Sequence, residues 1–536
     1  MRAILSLLLA VSIAAACLGA DALDTPVVGL TPTTASLAQV LAAYKAAAAA
    51  GRAVASHEKW RISSGGLTGT ADDLYDGRNY LETTQLGPFL TREGRIGTQA
   101  WKQNDNGYTV LMHGAHKMDE ISRTALADSV DGKSSNFVKL LGEVTAPVPA
   151  YVVEVAPPEG RRKWLYFDKS SGALVRSAQL VEGRHYVTTY DDFRTTGGVR
   201  RAWHLHDTDG RSSNDYDAQL LEFTVGRPSD SKLLAIPTDR RVVVNFPAGK
   251  STAAIPVSMI DGIVIVRVNI NGRGLDFQLD SGSDGIVLDS NVTQQLGLAT
   301  YGTVTSSVAG TFTEHRAIVP TMKIGDLTIH DIAVSSLPFD YQPEDQVKIV
   351  GLLGFDFIAD EVLHIDYVHQ SVAAIDSSVF KPPADAIAVP IDLDDQIPFL
   401  YGAVGDADSP RFVLDTGAAA TTLFSTFANA HPADVRDLGE GKDLRLQFGF
   451  VNTMGGVGGD FRFEPAEVKN LTVGPMKFGK WLLDISQAPP SFEGDDLAGL
   501  IGQDFLVYFD VYLDYADSLI YLVPNDTFKK TFKSAN

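Results

Sequence analysis

Cysteine is almost missing from this 536-residue chain: the single one, Cys17, lies in an apolar stretch at the N-terminus. A chain trimmed of that stretch would hold none, which excludes disulfides, a thiol nucleophile and thiolate metal ligands. Positive charge is also short. Lys and Arg number 45 against 66 Asp and Glu, a formal net charge of −21, and nucleic acid selects basic surfaces. Nucleic acid is therefore not expected as a partner. Beyond the N-terminus no apolar run is long enough to cross a membrane as a helix. HExxH, GxSxG and phosphate-loop patterns are absent too, so zinc-peptidase, serine-hydrolase and NTPase chemistries lose their usual supports. His204 and His206 share a strand face, and His113 lies close to His116, but neither pair has a third ligand nearby. Both read as solvent-facing pairs, and no metal is expected.

The first 22 residues, MRAILSLLLAVSIAAACLGADA, have the plan of a secretory signal peptide. Arg2 gives a positive start, Ile4 to Ala16 an apolar core too short to span, and small residues precede cleavage after Ala20 or Ala22. Ala14-Ala15-Ala16-Cys17 is close to a lipobox, so a lipid anchor on Cys17 is the alternative. An exported chain without disulfides fits a bacterial periplasm.

Two copies of an Asp-Ser/Thr-Gly tripeptide each end an apolar run: FQLDSGSDGIVLD around Asp280-Ser281-Gly282, and FVLDTGAAATTLF around Asp415-Thr416-Gly417. Downstream, GLLGFDFIADEVLHIDYVHQSVAAI from Gly351 and GLIGQDFLVYFDVYLDYADSLIYLV from Gly499 align without a gap. They match at Gly351/Gly499, Leu352/Leu500, Gly354/Gly502, Asp356/Asp504, Phe357/Phe505, Asp366/Asp514 and Tyr367/Tyr515. Upstream, Pro256 stands 24 residues before Asp280 and Pro390 stands 25 before Asp415. The copies are offset by 135 residues at the acids and 148 at the glycines, so the second carries 13 more between them. A repeat of this period is a duplicated domain.

Two loops each bearing one acid are the minimum for a carboxyl pair. Carboxyls about 3 Å apart cannot both ionise, so one can accept a proton from water while the other donates. The residue after each tripeptide differs, Ser283 in one copy and Ala418 in the other. A Ser283 hydroxyl donating to its neighbouring carboxylate would make Asp280 the more acidic partner. Asp356 and Asp504 each follow a glycine where a short helix starts, and read as caps of that helix. Asp366-Tyr367 and Asp514-Tyr515 precede hairpin turns and read as packing and turn residues.

These motifs resemble the bacterial retropepsin-like aspartyl protease family, related in fold to pepsin. The likeness covers roughly residues 250–525 and ends each half on hydrophobic-hydrophobic-Gly, Leu352-Leu353-Gly354 and Leu500-Ile501-Gly502. It implies Asp280 and Asp415 as the catalytic pair, and Ser281 and Thr416 as hydroxyls that brace the loops. Gly282 and Gly417 would let backbone approach the carboxylates. It also implies glycine-bearing flap hairpins, at Gly456, Gly458 and Gly459 in the second half and at Gly310 in the first, where glycine is scarcer. The expected activity is an aspartic-type endopeptidase acting on an extended peptide or protein, with no cofactor and no spanning membrane segment. The two halves would pair as a pseudo-dimer inside a monomer; pairing with a second molecule is the alternative. A non-catalytic peptide- or lipoprotein-binding protein on the same scaffold is the other functional reading.

The domains expected are the signal peptide (1–22), a β-rich domain (23–235), a linker (236–253), and protease-like halves at 254–381 and 382–536. The N-terminal domain opens with a helix capped at Thr34 or Ser36, running to Gly51, and continues as alternating strands. Its YFDKSSGALVR and YDDFRTTGGVRRAWHL segments resemble bacterial lipoprotein-carrier proteins, implying an α+β half-barrel. The fold class expected is mainly β: tandem acid-protease barrels after that domain.

Overall fold

The computed structural model describes residues 28–47, 55–133, 136–181, 184–226, 234–260, 262–307, 311–339, 347–438, 453–456, 459–486 and 497–532. The expected signal peptide, with Cys17, and the flap candidates Gly310 and Gly458 lie outside them.

The N-terminal domain is one curved antiparallel sheet of 13 strands, from Thr109–Met112 at one edge to Val138–Val144 at the other. Among the described residues its edges do not pair, so the sheet does not close on itself. The helix Leu37–Ala47 starts on a capping box, in which Ser36 Oγ accepts from the Gln39 N–H (3.2 Å) and Gln39 Oε1 accepts from the Ser36 N–H (2.8 Å). Val40 and Leu41 of that helix pack on Trp60, Ile62, Leu165 and Phe167 of the sheet.

The inward face is not uniformly apolar. Glu58, Asp73, Glu82 and Glu93 stand directly opposite one another on four neighbouring strands, a row of buried carboxyls. Burial, reinforced by each other's charge, pushes Asp73 and Glu82 well above the usual carboxyl range. Arg201 pairs with Glu58 at one end of the row, and Lys102 stands opposite Glu93 at the other.

The two C-terminal halves repeat one topology. In the first, Arg273–Leu279 and Ile286–Asp289 flank Ile349–Leu353, parallel on one side and antiparallel on the other. In the second, Ala407–Leu414 and Thr422–Leu423 flank Gly499–Ile501 the same way. The hydrophobic runs are buried central strands, which is why they read as continuous rather than alternating. Each acid therefore sits in a loop that crosses the end of an inserted strand.

The halves join in a shared antiparallel base. Thr252–Ile255, Ser371–Asp376 and Glu361–Asp366 come from the first, and Phe509–Asp514, Leu519–Pro524 and Ile387–Asp392 from the second. At its centre His364 lies opposite Tyr512, its own counterpart at the 148-residue offset, with rings stacked at 4.2 Å. The halves thus pair within one chain about a pseudo-twofold at that position. One apolar core runs through both, from Val264 and Phe277 to Phe505 and Leu522.

Candidate active site

Each acidic loop is fixed by the strand inserted behind it. The Asp280 N–H donates to the Leu353 carbonyl and the Asp415 N–H to that of Ile501, both at 3.0 Å. Gly354 and Gly502 follow those strands, and neither site has room for a side chain. A Cβ on Gly354 would stand 2.3 Å from the Gly285 carbonyl oxygen, and one on Gly502 2.6 Å from that of Ala420.

The two tripeptides interlock. Ser281 Oγ donates to the Leu414 carbonyl (2.7 Å) and accepts from the Thr416 N–H (2.9 Å). Thr416 Oγ1 donates to the Leu279 carbonyl (3.0 Å) and accepts from the Ser281 N–H (3.0 Å). Both residues are buried, so each hydroxyl satisfies backbone groups of the opposite loop that water cannot reach. Gly282 lies against Asp415 and Gly417 against Asp280. A Cβ on either would come within 2.7 Å of the facing carboxyl carbon. These contacts hold Asp280 and Asp415 within hydrogen-bonding reach of each other.

Burial raises both carboxyls, and Asp280 the further, because the Asp415 charge adds to it. Asp415 Oδ1 accepts from the backbone N–H groups of Gly417 (2.7 Å) and Ala418 (3.1 Å), and the Asp280 carboxyl from that of Gly282 (2.9 Å), with the Ser283 N–H also acting on it. Donors to the ionised form favour it. The expectation that Ser283 makes Asp280 the more acidic partner is therefore corrected. The Ser283 hydroxyl donates instead to the Gly285 carbonyl (3.0 Å), and Asp415 is the group set to carry the charge. The pair still titrates as a unit.

Asp356 and Asp504 are also placed differently from the helix caps read in the sequence. Gly354 and Gly502 occupy the cap positions, without a side-chain cap. Asp504 Oδ1 accepts from the Thr421 N–H and hydroxyl, both 2.7 Å, while Asp356 Oδ1 accepts from Asn104 Nδ2 (2.7 Å) in the N-terminal domain. Burial lifts Asp356 to about 7 and Asp504 to about 6.

Asp366 does hold its turn, accepting from the His369 N–H at 2.9 Å, and Asp514 accepts from that of Asp517. Their tyrosines reach further than a turn. Tyr515 is buried under the loops with its hydroxyl facing Ser281 and the acid pair, and Tyr367 faces Gln503, whose amide donates to the Thr416 carbonyl. Their faithful repetition directly after the repeated Asp was the available signal.

Gly456 pairs with Gly459 at the end of Thr453–Gly456/Gly459–Val468, and Thr300–Ser307/Thr311–Ile324 is the hairpin of the first half. The N-terminal domain grips the latter. Gly65 accepts from the Thr303 N–H (2.6 Å), and Asn214 bonds both the N–H (2.8 Å) and carbonyl (2.9 Å) of Thr305. The same domain meets the second half, where Asp394 accepts from the Gly114 N–H and Asp392 meets His113. Between these contacts Lys102 acts electrostatically on Asp284 of the first half and Asp395 of the second.

His204, partly exposed, is held between Asp191 (2.9 Å) and Asp217 (3.0 Å), which raise its pKa. No group of three His, Cys, Asp or Glu side chains placed to hold a metal ion occurs among the described residues, and no helix there is long and apolar enough to cross a membrane.

Residues 266–357 match the family model described as aspartyl protease, a stretch that carries both Asp280-Ser281-Gly282 and Leu352-Leu353-Gly354. Among curated proteins no sequence matches the chain. Among solved structures the chain is similar to an aspartic proteinase from Irpex lacteus, at 13% identity over 52% of this chain and 99% of that one, with a TM-score of 0.34. It is also similar to a LolA superfamily protein from Nitrosomonas europaea, at 12% identity over 38% and 99%, TM-score 0.28. A third is an outer membrane lipoprotein-sorting protein domain from Vibrio parahaemolyticus, at 10% identity over 36% and 94%, TM-score 0.27.

Proposed function

We propose that this chain is an exported aspartic-type endopeptidase whose single site uses one Asp from each half. The observation that carries the reading is the juxtaposition of Asp280 and Asp415 by two loops whose hydroxyls and glycines interlock. Asp415, ionised, takes a proton from a water held between the acids. The water oxygen bonds to the peptide carbonyl carbon while protonated Asp280 donates to the carbonyl oxygen. The tetrahedral diol then collapses, the C–N bond breaks, and the proton on Asp415 passes to the leaving amine. Asp280 regains its proton from the diol hydroxyl, so the pair returns to its starting state. An extended peptide would lie between the hairpins as an added strand, backbone to backbone. The halves pair within the chain, so a monomer suffices.

The test is cleavage of a mixed peptide library between pH 3 and 8 by the trimmed protein. Cleavage should be blocked by a peptide whose scissile amide is replaced by a hydroxyl-bearing tetrahedral carbon, because such analogues bind far more tightly than substrate. Binding without cleavage at every pH would overturn the enzyme reading in favour of a peptide-binding protein on the same scaffold.

A further inference from the structure

The repeat lets each half serve as the control for the other, and it breaks at one place beside the acids. In the second half Asp504 is anchored locally: Thr421, six residues after Asp415, gives it both its N–H and its hydroxyl, and Thr421 Oγ1 also accepts from the Gly502 N–H (3.3 Å). Six residues after Asp280 stands Ile286, buried and apolar, with no hydroxyl to give. Asp356 nevertheless occupies the same position. It lies directly under the first loop, with Oδ2 3.0 Å from where a Cβ on Gly285 would stand. That loop is tied on both sides, since the Phe355 N–H donates to the Ser283 carbonyl (3.0 Å) and the Gly282 N–H to Asp280.

The donors come from the N-terminal domain: Asn104, 252 residues away in sequence, with the Asn106 side chain acting on Asp356 beside it. Asn104 heads a tight turn, its Oδ1 accepting from the N–H groups of Asn106 (3.1 Å) and Tyr108 (3.0 Å), which leaves Nδ2 aimed at Asp356. The turn is locked into the first half. Buried Asn106 exchanges two hydrogen bonds with Ala333 (2.9 and 3.0 Å), Asp105 pairs with Arg316, and Tyr108 meets Phe355 edge-on at 5.8 Å.

We infer that Asn104 is a positioning residue of the first catalytic loop: the N-terminal domain gives Asp356 the donor that the second half supplies to Asp504 from within. The inference rests on the endopeptidase reading for its consequence, and the contact itself can be read without it. The charged and titratable groups facing Asp356 are Asp284 from the loop, Arg316 from the hairpin strand and Tyr108 from the same turn as Asn104.

Asn104→Asp tests this. It keeps the shape and the turn acceptor but turns the donor into a second carboxyl. At pH 4 the two carboxyls can share a proton, and kcat/KM should stay within about twofold of the parent. Only above about pH 7, where the shared proton is lost, should like-charge repulsion lower it at least about tenfold relative to the parent. Adding Asp356→Asn reverses donor and acceptor and should restore the parent profile. An Asn104→Asp variant whose pH profile parallels the parent, or a folded double variant that fails to recover, would overturn the inference. An inactive parent would instead be a failure of the functional reading. In that case thermal unfolding of the same variants decides. A Tm that falls with pH in Asn104→Asp and recovers in the double variant supports the contact, and curves parallel to the parent overturn it.

Discussion

In the second half of the repeat, the hydrogen bonds that hold the acidic loop among the described residues begin and end within that half or reach only its twin. In the first half, part of the same framework is supplied from outside. Asn104 stands in for Thr421 and Tyr108 packs on Phe355 where the second half has Gln503. Gly65 and Asn214 grip the first hairpin. Both halves hold the interlocked tripeptides, and in the first a neighbouring domain supplies contacts that the second makes locally. The N-terminal domain is thus built into the first loop, whatever its curved sheet does besides.

The sharpest way to break the comparison is at the acids. Asp280→Asn and Asp415→Asn should each reduce kcat by about a thousandfold or more, because each removes one partner of a single proton-sharing pair. Activity surviving in either variant with one peptide would mean that its acid is not part of the pair. Next come the braces. Ser281→Ala and Thr416→Ala each strand two buried backbone groups and should cost about 1–3 kcal/mol per unpaired group in urea unfolding, equally in the two halves.

The pH dependence separates the halves more finely. A carboxyl whose folded pKa is raised binds its proton more tightly in the folded state, so it favours folding at low pH. That advantage is complete below the unfolded value near 3.8, declines as pH rises through the window, and is gone above the folded value. Stability should therefore fall between pH 4 and about 7 through Asp356, and between pH 4 and about 6 through Asp504. Each contributes about 1.4 kcal/mol per pH unit at most. Asp356→Asn should flatten the longer window and Asp504→Asn the shorter one, read as Tm against pH. The smallest effect expected is Ser283→Ala, at about 0.5–1.5 kcal/mol of stability and no shift in the acidic limb of kcat/KM, since its hydroxyl serves Gly285 rather than Asp280.

The acids, the repeat and the hydrophobic-hydrophobic-Gly strands were legible in the sequence because they are contiguous runs whose burial and turns are local. The open, curved sheet before them was legible from alternation and turn residues. What could not be read was geometry beyond the peptide. Whether Ser283 points at a carboxylate or back along its own loop depends on the turn at Gly285. The partner of Asp356 was hidden because Asn104 belongs to no motif and pairs across a domain boundary. The buried row Glu58, Asp73, Glu82 and Glu93 was equally hidden, since acidic residues in strands read as solvent-facing until cross-strand register puts them inside.

The most direct test of one site built from both halves of one chain is a mixing experiment. The parent should cleave peptide, Asp280→Asn and Asp415→Asn should each be inactive, and an equimolar mixture of the two variants should stay inactive, because each molecule pairs its own halves. Activity returning in the mixture, or surviving in either variant alone, would contradict the account.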